Sequence, residues 1–188
     1  MRYYALTLFL IGLSTQAAAE PHAHKAHAHG KAELFVISED SLLTIQLTAD
    51  LVDLVGFEHA PKTADETTAI ETLHAALSNT EQADQYIALP PDASCTIKSA
   101  STKGGYAPRE DDQDEDHHGE DHDDHHGDEH MLTAQWVWEC SQMKRLKRLE
   151  VSLFEQFPAI VHIKANILTD DKQSQSKLSA KNTSLSVQ

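Results

Sequence analysis

One stretch of 21 residues, 110–130, restricts what this chain can fold into more than any other part. It reads EDDQDEDHHGEDHDDHHGDEH and holds twelve carboxylates and six histidines, with no lysine, arginine or aliphatic residue. We call it the tract. Such a segment cannot bury apolar surface and therefore cannot fold by itself. The sequence predicts a long, disordered, acidic and His-rich insertion in whatever domain carries it.

Nearly every side chain of the tract is a potential metal ligand. Imidazole suits zinc, copper and nickel, while the carboxylates add oxygen ligands and a negative potential that concentrates cations. A protonated imidazole cannot ligate, so binding should weaken as the pH falls. We predict metal ligands at His117, His118, His122, His125, His126 and His130.

Outside the tract the chain is almost neutral. The formal net charge is -15, but the tract supplies 12 of the 30 acidic residues and none of the 15 basic ones. The remaining residues therefore carry 18 acids against 15 bases. Phosphate would be repelled by the tract and no basic stripe compensates for it, so we expect no nucleic-acid partner.

Residues 1–19 have the organisation of a signal peptide. Arg2 gives a short positive region, residues 4–13 an apolar region, and residues 17–19 (AAA) a small-residue cleavage site, so we expect cleavage before Glu20. An apolar run of about ten residues is too short to cross a bilayer, which needs about 20. The sequence predicts a periplasmic protein with no membrane span after cleavage.

The two cysteines, Cys95 and Cys140, are predicted to form a disulfide. They are an even pair in an oxidising compartment, and 44 residues separate them. Because they bracket the tract, we expect the bridge to staple the two ends of the insertion to the folded body. The alternative is a pair of zinc-ligating thiolates, with which periplasmic oxidation competes.

A second His-rich segment, residues 20–31, precedes the first predicted strand. We predict a flexible N-terminal arm that adds metal ligands at His22, His24, His27 and His29. The alternative is a solvated arm of low complexity. Two His-rich segments in one small exported chain are less easily explained by chance than either segment alone.

Residues 32–188 are predicted to form a single β-rich domain into which residues 104–130 are inserted. Alternating apolar residues at 32–37 and 43–49 predict a hairpin, and similar patterns predict strands at 95–98, 132–140, 149–153, 161–167 and 183–187. We expect an α+β fold of mostly antiparallel sheet, sandwich- or roll-like, with one main helix and the insertion between two strands.

The main helix is predicted from a capping box, Thr63 with Glu66, followed by the apolar stripe Ile70, Leu73 and Leu77. His74 lies beside that stripe, and we interpret it as a packed or half-exposed helix residue rather than a ligand. His162 alternates with the apolar residues of its strand, so we expect it to face solvent.

One protease-like pattern lies within the tract. His126, Glu129 and His130 match the H-x-x-E-H pattern of a family of zinc proteases. That pattern requires a rigid helix, and a tract made mostly of His, Asp, Glu and Gly produces such matches easily. No other motif suggests an active site, so we expect no enzyme.

Several specific segments together support a family resemblance. They are HAHG at 27–30, GFEHAP at 56–61, the flanking cysteines, the tract, WEC at 138–140 and LFEQFP at 153–158. The mature chain resembles the ZrgA family of zinc-regulated periplasmic proteins over nearly its whole length. The resemblance implies zinc binding in the periplasm, in support of zinc uptake by a Znu-type ABC importer, whose periplasmic receptor is then a candidate partner. With so many ligands, the capture of several Zn²⁺ ions is expected.

The GFEHAP segment raises a sharper possibility. Glu58 and His59, together with histidines from the arm or the tract, could complete a fixed four-ligand zinc site. The alternative is a turn shaped by Gly56 and Pro61, in which Phe57 packs and Glu58 or His59 caps the nearby helix.

Three functions therefore remain open. The first is capture of scarce zinc for an importer. The second is a sequestering buffer for copper, nickel or excess zinc, because the ligands do not exclude those ions. The third is a non-metal interaction module with a solvated acidic loop.

Overall fold

The computed structural model describes residues 29–106 and 130–187. Within these residues the chain forms nine strands: β1 (Lys31–Glu39), β2 (Leu42–Asp50), β3 (Ile87–Ala88), β4 (Cys95–Gly104), β5 (Met131–Cys140), β6 (Arg148–Val151), β7 (His162–Leu168), β8 (Gln173–Leu178) and β9 (Ser184–Ser186). The α-helices of the same residues are α1 (Leu51–Val55), α2 (Ala64–Leu77) and α3 (Leu153–Gln156). Short 3₁₀ helices lie at Thr80–Gln85, Pro91–Ala93 and Met143–Arg145.

The described strands form two sheets. The larger has six strands in the order β4-β5-β2-β1-β7-β8, and the smaller has three in the order β3-β6-β9. All neighbours pair antiparallel except β1 and β7, which are parallel. The predicted α+β class is therefore confirmed, with α2 as the main helix. In the chain the tract lies between β4 and β5, as predicted; residues 107–129 lie outside the described residues.

The core lies on one face of the larger sheet. Alternate residues of β5 are buried there, ending with Trp136, Trp138 and Cys140, as the predicted strand requires. The Trp136 indole Nε1 donates a hydrogen bond to the Leu77 carbonyl at 3.0 Å, and its ring stacks on Tyr86 with centroids 5.6 Å apart. The C-terminal end of α2 is thereby fixed over β5, next to the edge strand β4.

Helix α2 begins at the predicted capping box. The Thr63 hydroxyl accepts a hydrogen bond from the Glu66 backbone N–H at 3.2 Å, and Glu66 Oε2 accepts one from the Thr63 N–H at 3.2 Å. The two side chains satisfy backbone donors that the first turn cannot pair internally. Ile70, Leu73 and Leu77 are buried, so the predicted apolar stripe is the face that packs on the core.

The Cys95–Cys140 disulfide is confirmed, but its predicted place in the fold is wrong. Cys95 opens β4, Cys140 ends β5, and the two residues face each other in the strand register. The insertion joins the same two strands at their other ends, after Gly104 and before Met131. Nine residue steps at about 3.3 Å separate the bridge from the insertion by roughly 30 Å. Cysteines that bracket an insertion in sequence lie far from it when the intervening residues are paired strands.

Other local predictions are corrected by tertiary context. β6 ends at Val151, and Leu153 opens α3 instead of continuing the strand. His162 is half-buried rather than exposed, and its Nδ1 is enclosed without a hydrogen-bond partner among the described residues. Helix α1 follows β2 directly, in a segment for which no helix was predicted. Strand β8 was not predicted, because its sequence QSQSKL has no apolar alternation at the edge of the sheet.

Candidate metal-binding region at one end of the main sheet

Both His-rich segments join the folded body at the same end of the larger sheet. Ala32 of β1 and Leu132 of β5 pair with the same residue of β2, Ala49. Neighbouring strands are about 4.8 Å apart, so the starts of β1 and β5 lie about 10 Å from each other. His29, at the end of the arm, and His130, at the end of the tract, are the residues that lead into these strands.

Helix α1 ties both attachment points together. The Leu51 backbone N–H donates to the His130 carbonyl at 2.8 Å, and the Gly30 N–H donates to the buried Asp53 carboxylate at 2.7 Å. One short helix thus positions the entry into β1 and the entry into β5. We call residues 29–30, 51–61, 105–106 and 130–131 the basal region.

The GFEHAP loop follows α1 directly and completes the basal region. Gly56 has a φ of 90° and ends α1, with its N–H bonded to the Val52 carbonyl at 2.9 Å. A side chain would be strained in that left-handed conformation, which is why glycine occupies the position. The Phe57 ring stacks on the His59 ring with centroids 5.3 Å apart. Pro61 restricts Ala60 to extended conformations, which fixes the direction of the Ala60 carbonyl.

The two ends of the insertion meet over the backbone carbonyl of Glu58. The Tyr106 hydroxyl donates to this carbonyl at 3.4 Å, and His130 Nδ1 makes a close contact with the same oxygen. The two side chains also contact each other, with 3.2 Å between the hydroxyl and Nδ1 and an edge-to-face ring arrangement. Both ends of the insertion are thereby held against the GFEHAP loop.

His59 faces the first turn of α2. Its Nδ1 lies 2.9 Å from the Ala60 carbonyl and must donate to it. A neutral His59 ring therefore has its lone pair on Nε2, which lies 3.8 Å from Glu66 Oε1. The pKa of the Glu66 carboxyl is lowered below its usual range. The hydrogen bond from the Lys62 backbone N–H is the largest cause, and the hydrogen bond from Thr63 and the charges of His59 and Lys62 act in the same direction.

His74 is packed beneath the start of the insertion, as a helix residue rather than on the surface. It is buried, with Nδ1 2.8 Å from the Thr102 hydroxyl and Nε2 3.3 Å from the Gly105 carbonyl. The carbonyl must accept, so Nε2 carries the proton and Nδ1 accepts from Thr102. Gly105 has a φ of 56°, and a Cβ there would meet Leu132 at 3.1 Å, so the chain turns into the insertion through a glycine.

Replacing His74 with alanine should destabilise the body without altering metal binding. The substitution leaves a cavity and takes the hydrogen bond of His74 from the buried Gly105 carbonyl, while the Thr102 hydroxyl keeps its contact with Ser78 at 3.1 Å. We expect a cost of about 2–3 kcal/mol in the free energy of unfolding measured with urea. The matched control is Glu71→Ala, on the exposed side of α2, with a change of about 0.5 kcal/mol or less. A folded H74A chain that bound less zinc would contradict a structural role.

The structure describes four of the predicted metal ligands: His29, Glu58, His59 and His130. Within residues 29–106 and 130–187, no three His, Cys, Asp or Glu side chains converge to hold a metal ion. A four-ligand site completed by the arm or the tract stays a prediction. The other predicted ligands lie outside the described residues; they are His22, His24, His27, His117, His118, His122, His125 and His126.

The sequence did not indicate that Glu66 or Tyr106 would lie in or beside the basal region. Glu66 was recognised only as a helix cap, because its second oxygen faces His59 across a loop whose shape the sequence does not fix. Tyr106 could have been noticed, because it is an aromatic residue directly after Gly104 and Gly105 at the start of a polar insertion. Such a side chain is expected to pack on the folded body.

Fold and site together define a small α+β domain that carries two His-rich segments at one end of its main sheet. Residues 26–187 match the family model described as ZrgA family zinc uptake protein, and the chain belongs to this family. A search of curated proteins found no match to the chain. Among the described residues no helix is long and apolar enough to cross a membrane.

Proposed function

We propose that this protein captures Zn²⁺ in the periplasm through its His- and Asp-rich segments and assists zinc uptake by an ABC importer. Membership of a zinc uptake family supports the choice of zinc. The observation that carries the proposal is that α1 holds the entries into β1 and β5, the two strands that follow the His-rich segments in the chain.

The proposed ligands are histidines of the two segments, joined by the GFEHAP loop. Zinc in proteins takes about four ligands, so the ten segment histidines can hold roughly two or three ions with help from carboxylates. The full set is His22, His24, His27, His29, Glu58, His59, His117, His118, His122, His125, His126 and His130.

Attachment at one end makes the two segments act on the same ions. Donors tethered about 10 Å apart meet each other at effective concentrations of the order of millimolar, so an ion that leaves one segment is recaptured by the other. Several weak sites in one place raise the local zinc concentration while leaving each ion exchangeable. That combination suits delivery to the periplasmic receptor of an importer better than permanent storage.

The experiment that tests this function compares the response to scarce and to excess metal. We expect the protein to be produced under zinc starvation, and a strain without it to grow more slowly when a chelator limits zinc. Production in response to excess zinc, copper or nickel, with normal growth at low zinc, would instead indicate a sequestering buffer. Copper is the relevant competitor because divalent affinities rise toward it.

A further inference from the structure

The folded body itself carries a pair of side chains with the geometry of metal ligands. His59 Nε2 and Glu66 Oε1 lie 3.8 Å apart and face each other at the start of α2. We propose that His59 and Glu66 form a two-ligand zinc seat, fixed on the scaffold next to the base of the tract. The seat rests on the proposed function, because zinc is taken to be the ion that the segments supply.

The distance between the two atoms is that of an ion pair when His59 is protonated, and when His59 is neutral it is close to the spacing of two ligands on one zinc ion. N–H···O hydrogen bonds are about 2.7–3.2 Å long, and a neutral His59 has no proton on Nε2. Zinc bonds of about 2.0–2.2 Å at a tetrahedral angle place two ligand atoms about 3.4 Å apart. The observed 3.8 Å needs a closure of only a few tenths of an ångström for both atoms to reach one ion.

Each ligand is oriented by groups that do not contact the ion. Stacking on Phe57 and the bond from Nδ1 to the Ala60 carbonyl hold the His59 ring with Nε2 toward Glu66. Glu66 Oε2 accepts from the backbone N–H groups of Lys62 and Thr63, at 2.7 and 3.2 Å, which leaves Oε1 for His59. A ring N–H bonded to a carbonyl and a carboxylate bonded by its second oxygen are the usual supports of zinc ligands.

The seat is open and should hold zinc weakly. The two side chains are 43% and 25% exposed, so an ion can reach them from solvent. Two protein ligands leave the other positions of a four-coordinate ion to water or to incoming donors. The positive end of α2 also opposes a cation, although Glu66 and its neighbour Asp65 offset that field. These features suit a seat through which ions pass.

The position of the seat connects it to the tract. Glu58, the residue before His59, holds His130 and Tyr106 through its carbonyl, so the ends of the insertion lie one residue from a seat ligand. In this proposal, an ion released near the base of the insertion can be bound by His59 and Glu66 on the folded body.

The test is a zinc titration of the whole mature chain, followed by NMR of the histidine ring nitrogens. We expect zinc to shift the Nε2 resonance of His59 while Nδ1 keeps its proton. Glu66→Gln should raise the zinc concentration at the midpoint of that shift by about tenfold or more. Glutamine keeps the capping box, so the variant removes the ligand charge and preserves the start of the helix.

The matched control is Glu71→Gln, which removes a carboxylate from the exposed side of the same helix and should leave the midpoint unchanged. The seat is overturned if His59 Nε2 does not respond at zinc saturation, or if E66Q and E71Q have the same midpoint. Either result, obtained while the chain still binds zinc, leaves the capture function standing. A chain that binds no zinc overturns the capture function itself.

Discussion

A chain lacking residues 1–19 in which the five histidines His117, His118, His122, His125 and His126 are replaced by asparagine should lose about half of its bound zinc at neutral pH. The substitution removes half of the ten segment histidines and leaves the arm, His59 and His130 in place. At about four donors per ion, we expect a fall from roughly two or three ions per chain to about one, measured by isothermal titration calorimetry.

The control for this variant replaces five tract aspartates, at 111, 112, 114, 121 and 123, with asparagine. It removes negative charge but keeps every imidazole, so it should weaken binding by lowering the local potential and leave most of the stoichiometry intact. His130 is kept in both variants because its ring and carbonyl hold the start of β5 against Glu58 and Leu51. An unchanged stoichiometry in the histidine variant would show that the tract is not the main zinc-binding element.

Removing the disulfide should destabilise the body without changing its zinc stoichiometry. In the chain-entropy model, a bridge that closes a loop of 44 intervening residues stabilises the folded state by about 4 kcal/mol. The double substitution Cys95→Ala and Cys140→Ala should lower the free energy of unfolding by about that amount, measured with urea. The bridge lies at the opposite end of β4 and β5 from the insertion, so zinc binding by the folded variant should be unaffected.

The control for the disulfide is the neighbouring ion pair across the same two strands. Lys98 Nζ and Glu139 Oε2 are 3.0 Å apart and about half exposed, so replacing both with alanine should change stability by about 1 kcal/mol or less. A disulfide variant no less stable than this control would refute the predicted stabilisation. Loss of zinc from a folded disulfide variant would instead revive the alternative of thiolate ligands.

Local patterns predicted much of the fold. The β1–β2 hairpin and strand β5 follow from period-two alternation, and α2 follows from a capping box and one apolar stripe. Strand β8 has no such signal because an edge strand of polar residues buries little. The parallel pairing of β1 with β7 joins residues more than 120 positions apart, and nothing in either segment encodes that partner.

The candidate site likewise has features that local sequence patterns indicate and features that only the tertiary structure determines. The metal ligands stay a prediction from composition, because clustered imidazoles and carboxylates are typical of metal binding. The convergence of arm and tract depends on the strand order β5-β2-β1, which alternation alone does not fix. The pairing of His59 with Glu66 depends on the shape of a loop held by Gly56, Phe57 and Pro61. The position of the disulfide depends on the register of β4 and β5, which the sequence pattern does not fix either.

The most direct measurement is equilibrium dialysis of the protein without residues 1–19 against buffered zinc near pH 7, followed by metal analysis. Several zinc ions per chain should be retained, and they should be released on acidification as the imidazoles take up protons. A protein that keeps its fold under these conditions and retains no zinc would contradict the account.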